Sequence, residues 1–220
     1  MTITKRLITV SLLVSICLFA TSCVFVPIDS ESNTGKGNVI SSGEKAVDLA
    51  QYMEEYLEPA ILPEINERRT DLSALLESAE SGWDAAGETY GVRKGEIGAK
   101  YNFIVHDTVT VMEVNNKSKV GFILVECENL QTKYTLKITT GPVLRGTAIR
   151  DSLKCVDFNQ FVNQMDYAGL ANELNKFGNE NMLKNTDIAT LTGKTIEFTG
   201  SFTQPEADEI TIMPIFMEVQ

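Results

Sequence analysis

The segment from Gly141 to Asp151 (GPVLRGTAIRD) and the start of the predicted helix after it concentrate side chains suited to binding a polar molecule. Its two arginines carry forked guanidinium groups that donate to carboxylates, sugar hydroxyls or carbonyl oxygens. The aspartate could pair with either arginine. The candidate ligand- or partner-binding residues are Arg145, Thr147, Arg150, Asp151, Asn163 and Gln164.

Two interpretations of this polar cluster fit the sequence. The first is a binding site for a polar, uncharged molecule such as a small carbohydrate, or for a protein partner. The second is a hydrogen-bonded network that fixes a long loop onto the domain, since buried polar groups need partners. Alanine substitutions at Arg145 and Asn163 distinguish the two, because only the structural network predicts loss of the fold.

Catalytic chemistry has little support in the sequence. His106 is the only histidine, whereas a zinc site needs several ligands and a serine triad needs a histidine base. We interpret His106 as a strand residue and predict neither metal nor cofactor. An envelope glycan hydrolase using Asp151 and a glutamate as paired carboxylates is the enzymatic alternative. No motif supports that alternative, so we expect a protein that is not an enzyme.

The N-terminus predicts export and lipid attachment. Lys5 and Arg6 precede an apolar run, 7–20, that has the length of a signal-peptide core and is too short to span a bilayer. Small residues then lead to Cys23, the pattern that signal peptidase II accepts. We predict a signal peptide over 1–22 and acyl chains such as palmitate on Cys23, which together anchor a protein firmly. An ordinary secretory signal is the alternative.

Charge limits the possible partners. The chain has 19 basic and 30 acidic residues and a net charge of -11, and removal of the signal would take away Lys5 and Arg6. An acidic domain repels phosphate backbones and anionic headgroups. We therefore predict no nucleic-acid partner and no domain that lies flat on a membrane. Neutral ligands, cations and basic partners remain compatible.

The pattern after Cys23 predicts a flexible tether over 23–43 and a single α+β domain over 44–220. Residues 44–97 carry helical spacing, from a capping box at Ser41 and Glu44 onward, with prolines at 59 and 63 interrupting the first helix. In residues 98–220, outside the predicted helix, apolar and polar side chains alternate with the two-residue period of strands. The predicted strands are 101–114, 120–127, 133–140, 193–202 and 210–219, with a helix over 157–177 that Gly178 ends.

Five antiparallel strands with a helix between the third and fourth have the order of an OB-type barrel, so we predict an OB-like barrel with added N-terminal helices. An open sheet backed by helices gives the same order. Two cysteines, Cys127 and Cys155, remain beside Cys17 and Cys23. An oxidising compartment permits a disulfide between them, but both also fit as buried apolar residues.

The run from Gly141 to Asp151, together with Tyr90–Arg93, Phe161–Gln164 and Leu191–Phe202, resembles a family of predicted periplasmic lipoproteins of unknown function. The resemblance covers most of the chain from the first helix to Val219. It implies an OB-like domain and genes that often lie beside sugar ABC transporters. It carries over no catalytic residues.

From the residues and the resemblance together we expect an accessory or binding protein of carbohydrate uptake, anchored outside the cytoplasmic membrane. Its expected partners are the membrane, a sugar ABC transporter or its binding protein, and a small carbohydrate. A scaffold that binds another envelope protein is the alternative. Val24 after the cysteine, in place of aspartate, indicates the outer membrane if the organism has one.

Overall fold

The computed structural model describes residues 46–128, 130–184 and 187–220. The predicted signal peptide, Cys23, the tether and the capping box at Ser41 lie outside these residues. The first described helix begins after Asp48, whose Oδ1 accepts hydrogen bonds from the main-chain nitrogens of Ala50 and Gln51 at 3.1 and 3.2 Å. The first helices are α1 (Leu49–Tyr56), α2 (Leu62–Arg68), α3 (Leu72–Ala79) and α4 (Trp83–Tyr90).

The prolines do not end the first helical segment, although the sequence predicted that they interrupt it. Pro59 lies in a π-helical turn, Leu57–Ile61, that joins α1 directly to α2. Pro63 lies in the first turn of α2, where a missing N–H group leaves no hydrogen bond unmade. The two helices therefore follow one another with no loop between them.

The sheet is built on one long strand. Its strands are β1 (Thr70–Asp71), β2 (Val92–Arg93), β3 (Tyr101–Asn115), β4 (Phe122–Cys127), β5 (Thr135–Thr139), β6 (Thr195–Thr203) and β7 (Glu209–Val219). The five long strands pair in a ring, β3–β4–β5–β7–β6 and back to β3. His106 is a residue of β3, as predicted.

One pair in this ring corrects the prediction of five antiparallel strands. β5 and β7 run parallel, with Leu136 opposite Ile210 and Ile138 opposite Ile212. Parallel neighbours need a long crossover, and the chain from Thr140 to Asp208, which contains β6, provides it. The sheet is therefore mixed.

The N-terminal helices are joined to the sheet by main-chain hydrogen bonds. β1 pairs in parallel with β3 at Val105, and β2 pairs antiparallel with β3 at Asn102. These short strands occupy the edge of β3 that β4 leaves uncovered, since β4 ends opposite Val109. Two-residue strands carry no periodicity, which is why sequence analysis missed them.

The predicted helix 157–177 is wrong at both ends. A short helix α5 (Ala148–Asp151) and a 3-10 turn (Phe158–Gln160) precede the long helix α6 (Gln164–Leu183). α6 continues through Gly178, where a Cβ atom would lie 2.2 Å from the main-chain oxygen of Pro214. Gly178 therefore allows α6 to approach β7 and is not a stop signal.

Two hydrophobic clusters form the core. The first fills the ring of strands beneath α3 and α4, and the second lies beneath α1, α5 and α6. β7 contributes side chains to both clusters, because Ile212 belongs to the first cluster and Ile215 to the second. Cys127 belongs to the first cluster and Cys155 packs against the second, and both are free thiols. None of the described helices is both long and apolar enough to cross a membrane.

Candidate functional site

Arg150 and Asp151 form an ion pair in α5. Arg150 Nη2 lies 2.7 Å from Asp151 Oδ1, and Arg150 Nε donates to the same oxygen at 2.8 Å. Arg150 Nη1 donates to the main-chain oxygen of Tyr167 at 3.0 Å, and its guanidinium carbon lies 3.7 Å from the centre of the Tyr167 ring. Arg150 is only 8% exposed, so its main effect is to hold Asp151 and the start of α6 together.

The Asp151 carboxylate is held through one of its two oxygens. Its Oδ1 accepts from Nε and Nη2 of Arg150 and, at 3.4 Å, from the hydroxyl of Tyr167. Among the described residues, Oδ2 has no hydrogen-bond partner. Burial raises the pKa of Tyr167, so its hydroxyl keeps its proton and remains a donor. Asp151 therefore has one oxygen held by hydrogen bonds and a second oxygen available to a ligand.

Lys94, which follows β2, is the cation that sequence analysis missed. Its Nζ donates to the main-chain oxygens of Arg150 at 3.2 Å and Val156 at 2.5 Å. It also lies 6.0 Å from the centre of the Tyr167 ring. Burial lowers the pKa of Lys94, and the nearby carboxylate of Asp151 opposes that change.

These side chains line a groove of about 630 Å³ between the β2 loop, α5, the 3-10 turn and the first turns of α6. Phe158, which is 44% exposed, contributes an aromatic ring and packs edge-on against Tyr167 at 5.4 Å. Gln164 contributes an exposed amide. The groove therefore combines an aromatic surface with charged and neutral hydrogen-bonding groups, which is the composition of many small-molecule sites. Its lining residues are Arg93, Lys94, Gly95, Arg150, Asp151, Asp157, Phe158, Gln164 and Tyr167.

Three of the six predicted residues come together in this groove: Arg150, Asp151 and Gln164. Asn163 instead caps α6, because its Oδ1 accepts from the main-chain nitrogens of Met165 and Asp166 at 2.8 and 2.9 Å. Arg145 and Thr147 are exposed and do not line the groove. The six predicted residues therefore divide into three that line the groove, one helix cap and two exposed residues.

A row of aromatic contacts leads from α1 to the groove. Tyr56 stacks on Tyr52 at 4.4 Å, Tyr52 contacts Phe161 at 5.3 Å, and Phe161 contacts Tyr167 at 5.4 Å. The row joins α1 to α6, with Phe158 at its end. Sequence analysis placed Phe158 along the predicted helix 157–177, which hides the break that exposes its ring, and did not single out Tyr167.

Other grooves of similar size exist on the described surface. One, of about 690 Å³, lies between α3 and the β4–β5 loop and includes Ser73 and Tyr134; another, of about 540 Å³, lies beside α6 and includes Glu197 and Phe216. Volume therefore does not select the site. We favour the groove at Asp151 because it alone among these three holds residues predicted to bind, beside a half-buried cation. Within the described residues, no group of acidic, histidine or cysteine side chains is arranged to hold a metal ion.

Comparison with known proteins adds family and fold. The model of a family described as predicted periplasmic lipoproteins (DUF2291) matches residues 13–218. The chain belongs to this family. A crystal structure of an OB-fold protein from Thermotoga maritima is similar to this lipoprotein with a TM-score of 0.62 and 20% identity, covering 80% of this chain and 100% of that one. The likeness shows an OB-type fold for the lipoprotein. No curated protein matches the sequence significantly.

Proposed function

We propose that this lipoprotein is a non-enzymatic binding component of carbohydrate uptake, held by lipid on Cys23 with its domain outside the cytoplasmic membrane. Val24 directs it to the outer membrane where the organism has one. Membership of a family of predicted periplasmic lipoproteins supports an envelope location. The observation that carries the binding role is that Asp151, whose Oδ2 has no hydrogen-bond partner among the described residues, lines a groove together with the 44% exposed Phe158.

The groove has the groups that a sugar ring needs. Asp151 Oδ2 accepts a hydrogen bond from a hydroxyl, and such charge-assisted bonds are shorter and stronger than neutral ones. The amide of Gln164 both donates and accepts. The face of Phe158 packs against the apolar face of the ring, which removes apolar surface from water. Arg150 positions Asp151 and is not itself proposed to bind the sugar.

We propose binding rather than hydrolysis, because Asp151 is committed to an ion pair with Arg150. A glycosidase needs two carboxyl groups with separate roles on either side of the scissile bond, whereas Asp151 is already held by Arg150 through its Oδ1. Turnover of a glycan that is lost in Asp151→Asn would support the hydrolase alternative instead.

Exposed apolar residues beside the groove favour a protein partner as well. Met165, in the first turn of α6, is 78% exposed, and Val162 is 38% exposed. Methionine and aromatic residues are enriched in protein interfaces. We propose that this edge contacts a sugar ABC transporter or its binding protein, so that the groove lies where sugar is handed over.

A thermal-shift screen of the full-length protein against monosaccharides and oligosaccharides tests the binding role. A sugar present at about 100 times its dissociation constant adds about 2.7 kcal/mol of stability, which is a shift of roughly 5–11 °C for a domain of this size. The detergent that keeps the full-length lipoprotein in solution should have no sugar headgroup, because such a headgroup would compete with the added sugar for the groove.

Matched variants locate the binding. Asp151→Asn and Phe158→Ala are expected to remove the shift, whereas Arg145→Ala and Phe216→Ala are expected to keep it. Phe216 is a suitable control, because it is an exposed aromatic residue that lines the groove beside α6. A shift that survives Phe158→Ala and Asp151→Asn would place the sugar elsewhere and overturn the site.

A further inference from the structure

The charge of Lys94 has no function in the binding role described so far. Its two hydrogen bonds go to main-chain oxygens, which carry no formal charge. The neighbouring cations have carboxylate partners, since Arg150 pairs with Asp151 and Arg93 pairs with Asp84. In the described part of the chain, no carboxylate lies at ion-pair distance from Lys94.

This arrangement distinguishes Lys94 from the other described cations that lack an ion pair. Those residues are all exposed to water: Arg69, Lys117, Lys119, Arg145, Lys154, Lys184 and Lys194. Lys94 is partly buried, and withdrawal of a charge from water is costly unless an opposite charge compensates it. The carboxylate of Asp151 compensates the charge only from beyond ion-pair distance. A ligand carboxylate could come closer, because Lys94 lines the groove.

We propose that the groove binds an acidic sugar, with the ligand carboxylate on Lys94 and the sugar hydroxyls on Asp151. The proposal rests on the sugar-binding function and names its ligand class. An ammonium group has three N–H donors, and two are engaged by Arg150 and Val156. The third is free for the carboxylate of a uronic acid, which replaces the uncharged sugar expected from the sequence.

Asp157, whose carboxylate also lines the groove, restricts how such a ligand lies. Its Oδ1 accepts from the main-chain and side-chain nitrogens of Asn159 at 2.8 and 2.6 Å, and neither donor neutralises its charge. A sugar with a single carboxylate can place that carboxylate on Lys94 and its hydroxyls on the acidic residues. A dicarboxylate would meet repulsion from Asp157.

Calorimetric titration of the full-length protein, in a detergent without a sugar headgroup, with matched sugar pairs tests the proposal. Glucuronate is compared with glucose, and galacturonate with galactose, so that each pair differs only at C6. We expect one uronate to bind at least about tenfold more tightly than its neutral partner, because a hydrogen bond to a charged group is worth about that factor. The preference should decrease as salt is added.

Variants assign the preference to Lys94. Lys94→Met is expected to bind both members of the pair equally, and Lys94→Arg to keep a preference for the uronate. Lys154→Met is the control, because it removes the same charge from an exposed lysine that does not line the groove. If Lys94→Met does not fold, Lys94→Gln, which keeps N–H donors without the charge, takes its place.

The outcomes separate the two proposals. Equal affinity for uronate and neutral sugar in the wild-type protein would overturn the acidic ligand and leave sugar binding in place. A uronate preference that persists in folded Lys94→Met would also overturn the role of Lys94. Failure of both sugar pairs, and of the wider sugar screen, would overturn sugar binding itself.

Discussion

Alanine in place of Gly178 tests whether close contact between α6 and β7 maintains the fold. The added Cβ would lie 2.2 Å from the main-chain oxygen of Pro214, and a main-chain atom within a strand cannot rotate away. Overpacking of this kind costs about 1–3 kcal/mol or more, whereas replacement of glycine by alanine within a helix gains about 1 kcal/mol. A contact of 2.2 Å with a main-chain atom belongs to the upper half of that range, so after the gain in helix propensity we expect a net loss of about 1–2 kcal/mol.

Gly169→Ala is the matched control in the same helix. Its Cβ would meet Leu49 Cδ1 at 2.5 Å, which is the end of a flexible side chain that can move. The gain in helix propensity is the same, so we expect a change between zero and about 1 kcal/mol of added stability.

Thermal unfolding of both variants, followed by circular dichroism, measures the difference. Gly178→Ala should unfold roughly 2–8 °C below the wild-type protein, and Gly169→Ala at or above it. If Gly178→Ala unfolds at the wild-type temperature or higher, α6 does not approach β7 as described, and the interpretation of Gly178 is wrong.

Three further predictions concern caps and ionisable groups. Asn163→Ala should cost about 1 kcal/mol in urea unfolding through loss of the α6 cap, while Asn163→Ser, which keeps a capping oxygen and places no charge beside Asp166, should cost less. Burial raises the pKa of Glu64, but hydrogen bonds from Cys155, Lys154 and Arg68 outweigh it and leave that pKa below its usual value. The stability that Glu64 contributes is therefore present above about pH 5 and is lost as the pH falls through the folded pKa. Glu64→Gln should be less stable than the wild-type protein at pH 7 and should lose less stability when the pH is lowered. An equal loss of stability in both proteins would contradict this. Burial raises the pKa of Cys127 and of Cys155 to about 12, so both should resist iodoacetamide at pH 8 until the protein is unfolded; rapid labelling in the native state would show that one thiol is accessible.

Sequence analysis identified the residues of the groove only in part. Arg150, Asp151 and Gln164 were predicted because polar residues cluster beside a turn. Lys94 was not, since it lies more than fifty residues upstream and nothing in its local sequence differs from that of a surface lysine. Phe158 was hidden by the interpretation of 157–177 as one continuous helix.

Local pattern by itself determined the identity and order of most elements. Alternation predicted the five long strands to within two residues at each end, and α3 follows the predicted spacing after Asp71. The fold class and the family follow from the same residues, because periodicity and specific motifs are properties of short stretches of chain. The arginines and aspartate after β5 are also local features.

Tertiary structure alone decided how these pieces meet. The parallel pairing of β5 with β7, the passage of α6 through Gly178 and the placement of Lys94 beside Arg150 each depend on residues far apart in the chain. A glycine that ends a helix and one that admits a neighbouring strand look the same in sequence, and a lysine is buried or exposed only by what packs over it. The binding groove exists because the fold brings the β2 loop onto α5 and α6.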